Sequence, residues 1–237
     1  MTVHLLTNLT LLLVGPAMYQ KVVYQIHSLG GLLPYVEWTL IFLPILFHGL
    51  VGLAIIAGAQ PNSGLYPYAA NIRYTLQRVT GILALAFIVY HVFHMHGWFH
   101  VEVWHERVVR VLGGARFRPY NATSTLASAM QSLAVTAVYA VGILACVYHF
   151  ANGIWTMGIT WGVWTSARAQ ERASMASVAI GLGLAAVGLG ALIGPKTVDV
   201  QAAIRMEDKM FQAKSAAGEF EESEILMKRS SRADGQK

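Results

Sequence analysis

The sequence predicts an all-α integral membrane bundle, with four transmembrane helices and a partial fifth at the N-terminus. Two observations carry this. The 237 residues are 55% hydrophobic and only 12% charged, against about 25% charged in a soluble domain. The charges are also absent from four long windows, 38–60, 79–101, 173–195 and the 49 residues 119–167. A helix needs about 20 mostly apolar residues to cross about 30 Å of hydrocarbon, so three windows hold one span each. The fourth holds one span with interfacial ends, because 126–165 contains no proline and no charged turn.

Each element follows in chain order. Residues 1–20 lack charge, but Thr7, Asn8, Thr10 and Gly15-Pro16 interrupt the apolar run. No basic n-region follows Met1, so the segment does not read as a signal peptide. It resembles the end of a helix whose beginning is absent. Residues 16–35, with Pro16, Lys21, Gly30-Gly31 and Pro34, read as a linker. The first complete span is expected over 35–59, stopped near Gln60 by the turn residues Pro61-Asn62-Ser63-Gly64. Tyr66, Tyr68, Arg73 and Tyr74 form an interfacial stretch. The second span is expected from near residue 72 to near Trp98. In Val101–Leu112, Val101, Trp104, Val108, Val111 and Leu112 share one side while Glu102, Glu106 and Arg110 share the other, the pattern of a helix lying in the interface. The third span is expected over 126–165, with Trp155, Trp161 and Trp164 as headgroup-level anchors. The fourth is expected over 174–194, where GLGLAAVGLG suits close helix packing. Residues 1–195 thus form a transmembrane domain, and 196–237 a charged tail, flexible or helical.

The charge balance excludes some functions. The net charge of +5 lies wholly in residues 1–195, with nine basic residues against four acidic; the tail has eight of each. The basic residues sit mostly in loops, as expected beside anionic lipid, and nothing reads as a nucleic-acid surface. The one cysteine, Cys146, allows no internal disulfide, and no Cys-x-x-Cys-His haem attachment motif exists.

Four histidines stand inside or beside the charge-free stretches: His4, His48, His91 and His149. A histidine in hydrocarbon is costly unless partnered. One alone could simply hydrogen-bond a neighbouring helix, but several on separate helices could form axial pairs for non-covalently held, b-type haem. His48 lies roughly 18 Å along its helix from the end at Gln60, and His91 about 10 Å from Trp98. The small residues Gly49 and Gly52 beside His48, and Ala151 and Gly153 beside His149, leave room for a flat macrocycle. His94, one turn from His91, reads as a propionate donor or a lumenal residue. His96, His100 and His105 lie at the membrane edge without zinc-site spacing, and His27 reads as a surface residue.

Particular runs carry a resemblance. Leu76-Gln77-Arg78-Val79-Thr80-Gly81-Ile82 with Tyr90-His91-Val92-Phe93, Ile41-Phe42-Leu43-Pro44-Ile45-Leu46-Phe47-His48, and His149-Phe150-Ala151-Asn152-Gly153-Ile154-Trp155 with Thr160-Trp161-Gly162 resemble the third, second and fourth helices of the cytochrome b anchor of succinate dehydrogenase and fumarate reductase. The single-polypeptide, five-helix, di-haem type is the most similar. The resemblance covers about residues 35–194. It implies that His48 and His149 ligate the haem nearer the cytoplasmic catalytic subunits. His91 would ligate the outer haem, with His4 as its partner, since His4-Leu5-Leu6-Thr7-Asn8 resembles the end of the family's first helix. The family has most of a helix before that point, and here three residues precede His4. A start upstream of Met1, a truncated protein or a lost second haem would each account for this.

The resemblance also implies a multi-pass protein of the bacterial cytoplasmic (inner) membrane, with loops 60–75 and 166–173 facing the cytoplasm. The positive-inside rule gives that orientation little support, because loop 99–125 carries Arg107, Arg110, Arg116 and Arg118. A flavoprotein subunit and an iron–sulfur subunit are the implied partners, with quinone as the substrate in the membrane and electron transfer as this subunit's task. Glu37, the acid near the start of the His48 span, is the expected proton relay to quinone; its plain alternative is a solvated helix end. Arg78 is expected to pair with haem propionates or to snorkel to headgroups. Tyr74 and Trp155 are expected as anchors or pocket walls. Two other readings compete: a cytochrome b anchor of another respiratory enzyme, hydrogenase-like, and a haemless proton-coupled transporter. Haem in the purified protein and co-purification with a flavoprotein separate them.

Overall fold

The computed structural model describes residues 1–58, 62–99, 101–220, 225, 228 and 229. Ala59, Gln60, Pro61 and His100, and the tail residues 221–224, 226, 227 and 230–237, lie outside the described residues. Among those described, every regular element is helical. These are α1 (Thr2–Leu13), α2 (Pro16–His27), α3 (Gly30–Ala57), α4 (Ala69–His96), α5 (Glu102–Trp104, continued by the π-turn His105–Val109), α6 (Ala122–Ala129), α7 (Leu133–Thr160), α8 (Ala167–Ile193) and α9 (Val200–Ala216). Four of them, α3, α4, α7 and α8, are long and apolar enough to cross a membrane. Their outward side chains are apolar, with Phe47 72% and Leu182 69% exposed. Such surface is stable only against lipid.

The structure departs from the sequence reading at three places. The expected linker 16–35 is largely helix α2. Pro16 sits in its first turn after Gly15, whose φ of +109° suits glycine, and Tyr19, Gln20, Val23 and Tyr24 are buried along one face. The expected 126–165 helix is two helices, α6 and α7, parted at Met130–Ser132. There the Thr136 hydroxyl donates to the Met130 carbonyl at 3.1 Å and to the Ser132 carbonyl at 2.9 Å, helping a polar break to close. Within the tail, Val200–Ala216 forms α9, the helical one of the two expected forms, and departs from the reading only in being held by a buried polar contact.

The chain forms two compact units. One comprises Met1–Leu33, Val89–Ala137 and the described part of Gly190–Lys237. In it α2, α6 and α9 pack together around an aromatic centre of Tyr24, Tyr120 and Phe211. Gln20 and Glu207, both 0% exposed, finish the N-terminus of α6. The Gln20 Oε1 accepts from the Ala122 amide at 2.8 Å, and the Glu207 Oε1 from the Ser124 amide at 2.8 Å. Glu207 Oε2 also accepts from the Ser124 hydroxyl at 2.6 Å and from Asn121 Nδ2 at 3.3 Å. A carboxylate at a helix N-terminus satisfies orphan donors and complements the dipole. Helix α1 packs on α2 and on the turn Gly194–Thr197. The last carbonyls of α4 are met by a following segment: the amides of Ala115, Arg116 and Phe117 donate to Phe93, His94 and Met95 at 3.1, 2.9 and 3.1 Å.

The other unit comprises Pro34–Ile88 and Val138–Leu189. Here close helix contact depends on small residues. The Phe87 ring lies against Gly142, where an added Cβ would fall 2.1 Å from the ring, and makes an edge contact with Tyr139 at 5.2 Å. In its most apolar stretch α3 has no buried residue. Its contacts within the unit include Gly49 against Leu85 and the His48 ring described below.

Candidate functional site

In the second unit, α3 presents His48 and α7 presents His149 with ring centres 5.9 Å apart and planes at 70°. The orientation of His149 has a cause. Its Nδ1 lies 3.0 Å from the Gln77 carbonyl of α4. A carbonyl can only accept, so Nδ1 carries the hydrogen and Nε2 keeps a free lone pair. The Gln77 side-chain Nε2 is also 3.3 Å from Nδ1, but it is a donor, and it donates to the His149 carbonyl at 3.0 Å. The ring can lie this close to α4 because residue 81 is glycine: a Cβ there would stand 2.8 Å from His149 Cε1 and 3.1 Å from Nδ1.

Behind the ring runs a polar network that the sequence reading missed. Asn152, 4% exposed, donates to Gln77 Oε1 at 2.8 Å and accepts from Arg73 Nε at 2.8 Å. Arg73 Nη1 then donates to the Ser174 hydroxyl of α8 at 2.8 Å, and its guanidinium lies over the Trp155 ring at 3.8 Å. Trp155 Nε1 donates to the Gln170 carbonyl at 3.0 Å. Trp155 therefore carries Arg73 on its ring while its indole N–H ties α7 to α8. In low dielectric each of these bonds is strong and each orphaned partner costly. A stripe at helical spacing, Arg73, Gln77 and Gly81, was the available signal. The reading instead singled out Arg78. That residue stacks on Tyr74 of the same helix at 3.8 Å and donates to its hydroxyl.

The first unit holds a second pair. His4 of α1 and His91 of α4 have ring centres 5.7 Å apart with planes at 76°. Asn8 Nδ2 donates to the His4 carbonyl at 2.8 Å, and the buried Tyr19 hydroxyl donates to Asn8 Oδ1 at 3.3 Å, so α2 braces the α1 segment that carries His4. One turn beyond His91, His94 is buried and stacks on Tyr90 at 5.5 Å. Glu37 is half-buried and stands at the junction between the first turns of α3 and its π-turn Trp38–Phe42. The small residues near the histidines serve several ends. Gly49 makes room for Leu85 and Gly153 for Gln77, and only Gly52 opens to free space.

The donor sets can be tested for fit. No group of three or more His, Cys, Asp or Glu side chains converges as a metal site among the described residues, whereas a bare zinc ion needs at least three protein ligands. A pair of imidazoles suits a metal whose other ligands come from a flat macrocycle. His48 with His149 and His4 with His91 would each offer two imidazoles to such a group, with ring centres 5.9 and 5.7 Å apart. The free Nε2 of His149, backed by a carbonyl on Nδ1, is the arrangement in which a ligating histidine is fixed in tautomer and made more basic.

No protein-family model matches the chain, and no solved structure matches it. The succinate dehydrogenase cytochrome b558 subunit of Bacillus subtilis (strain 168) is 33% identical over 157 residues, which cover 66% of this chain and 69% of that protein. With identity of that degree over that share of the relative, this multi-pass helical membrane protein belongs to the succinate dehydrogenase cytochrome b subunit family.

Proposed function

We propose that the chain is the cytochrome b membrane anchor of a succinate:quinone oxidoreductase in a bacterial cytoplasmic membrane. It docks a flavoprotein subunit and an iron–sulfur subunit and exchanges their electrons with membrane quinone. The observation that supports this most directly is the presence of two histidine pairs, each with ring centres just under 6 Å apart. His48 with His149 would hold one b-type haem and His4 with His91 a second. Bound there, haem supplies one-electron relay across a low-dielectric interior.

The chain's own residues do the rest. Gln77 and Gly81 fix the tautomer and position of His149. The Arg73–Asn152–Gln77 network keeps α4, α7 and α8 in the register that this requires. Arg78, held over Tyr74, would turn its guanidinium to an anionic propionate. Glu37 would pass protons through its carboxyl toward quinone, whose reduction takes up two. Loops 60–75 and 166–173 would face the catalytic subunits.

Purified protein tests the reading. We expect two b-type haems per chain, with His48→Ala and His149→Ala losing the same one and His4→Ala and His91→Ala the other. Two intact haem signals in the His149→Ala protein would refute the assignment, and haem-free wild-type protein would refute the function.

A further inference from the structure

The C-terminal end of α4 and the N-terminal end of α7 border a cleft of about 400 Å³ that the electron-transfer reading does not use. Its polar wall is formed by His94, Arg116, Ser128, Gln131 and Ser132, and it contains no Asp or Glu. His94 is 7% exposed, with Tyr90 stacked on its ring. Arg116 is exposed, and among the described residues its guanidinium makes no hydrogen bond or ion pair. A second cation stands at the same rim, where Lys196 Nζ donates to the Gln131 carbonyl at 3.0 Å. The first turn of α7, a 28-residue helix, adds the positive end of a helix dipole.

The rest of the lining includes the apolar residues Phe93, Leu112 and Val135. Helix α4 ends at His96 and α7 begins at Leu133, so the cleft lies where two spans meet the headgroup layer. Two cations, a helix N-terminus and hydroxyl and amide groups together favour a charged oxygen ligand. An uncharged carbonyl compound would leave both cations without a counter-charge. The apolar lining residues favour a ligand with a chain attached.

We infer that this cleft binds the phosphate headgroup of an anionic phospholipid, with an acyl chain along Phe93, Leu112 and Val135.

The test uses the full chain extracted in mild detergent and reconstituted with phosphatidylglycerol or phosphatidylcholine. Retained lipid is counted by native mass spectrometry after detergent exchange. Wild type should retain phosphatidylglycerol and release phosphatidylcholine. Loss of one cation near the surface, worth about 1 kcal/mol, should reduce retention roughly fivefold in Arg116→Gln. Arg116→Lys should retain nearly as much as wild type. Arg107→Gln, in the same loop but outside the cleft, should behave as wild type. Equal retention by Arg116→Gln and wild type would overturn the proposal. So would displacement of the lipid by inorganic phosphate alone, which would make the site one for free phosphate, or by a short-chain quinone, which would make it a quinone site. Persistence of the lipid against both competitors supports it.

Discussion

Gly81→Ala offers a sharp test of how His149 is held. The added Cβ would stand 2.8 Å from His149 Cε1, while ordinary van der Waals contact begins at 3.4 Å. The ring must therefore retreat by about 0.6 Å, since the helix backbone cannot easily give. A retreat of that size takes the 3.0 Å bond between Nδ1 and the Gln77 carbonyl to roughly 3.6 Å, beyond a useful hydrogen bond. Two energies then oppose each other. Overpacking costs typically about 1–3 kcal/mol, and replacing glycine by alanine inside a helix returns about 1 kcal/mol. Net destabilisation should thus be modest, between about 0 and 2 kcal/mol, while the histidine loses its positioning. Gly183→Ala in α8 is the control: nothing lies within 4 Å of its added Cβ, so it should gain only the helix term. The assay is the reduced-minus-oxidised spectrum and redox titration of the purified protein, with thermal unfolding in the same detergent. Gly81→Ala should lose or shift the signal that depends on His48 and His149 and leave the other unchanged, with Gly183→Ala like wild type. An unaltered spectrum and potential in Gly81→Ala would show that the close contact does not position the ring.

Further outcomes are expected. Glu37→Gln should assemble normally and reduce acceptors in water at the usual rate while quinone turnover falls at least about tenfold; unchanged quinone turnover would leave Glu37 as a helix-end residue. Asn152→Ala orphans Arg73 Nε and Gln77 Oε1 together, and should lower unfolding stability by roughly 2–4 kcal/mol; a loss below 1 kcal/mol, roughly the worth of one ordinary hydrogen bond, would contradict a coupled network. Burial raises the Glu207 carboxyl above its usual 4.5, opposed by its bonds to Ser124, Asn121 and Thr123. The folded state then binds more protons than the unfolded one just above that value. Glu207's contribution is therefore full below pH 4.5 and declines as pH rises through the raised value. Melting curves should show that decline in wild type and a flatter profile in Glu207→Gln, and identical slopes would exclude Glu207 as its source.

Much of the fold was legible because membranes impose a one-dimensional rule. Absence of charge over 20 or more residues is visible without knowing any contact, and it located the four spans, with ends that differ from the observed helices by up to seven residues. The histidines were visible for the same reason, since a polar ring is conspicuous in an apolar run. The Arg73–Asn152–Gln77 chain was not, because its members are 75 to 79 residues apart. Arg73 near a helix end looks like any interfacial arginine until Trp155 and Ser174 are placed beside it. Helix α2 escaped notice because Pro16 and the glycines at 30 and 31 were read as breakers, whereas proline in a first turn starts a helix. The α6–α7 break escaped because Gln131 and Ser132 carry no charge and no proline marks the place. The buried side of α9 was hidden by the charge of its other residues. Glu207 looks solvated in sequence and is 0% exposed in the fold.

The N-terminus of α6 is closed by a glutamine 102 residues upstream of its partner and by a glutamate 83 residues downstream of its own. During synthesis the first of these is in place before α6 exists. The second emerges only after α8, the last span, has been made. Completion of this unit is therefore a late event that reports on everything between the two caps. A chain in which only one of α7 and α8 crosses delivers Glu207 to the opposite side of the membrane. The amide of Ser124 and the side chain of Asn121 are then left without their acceptor. The cap acts as a check on topology, closing only when an even number of crossings separates α6 from α9.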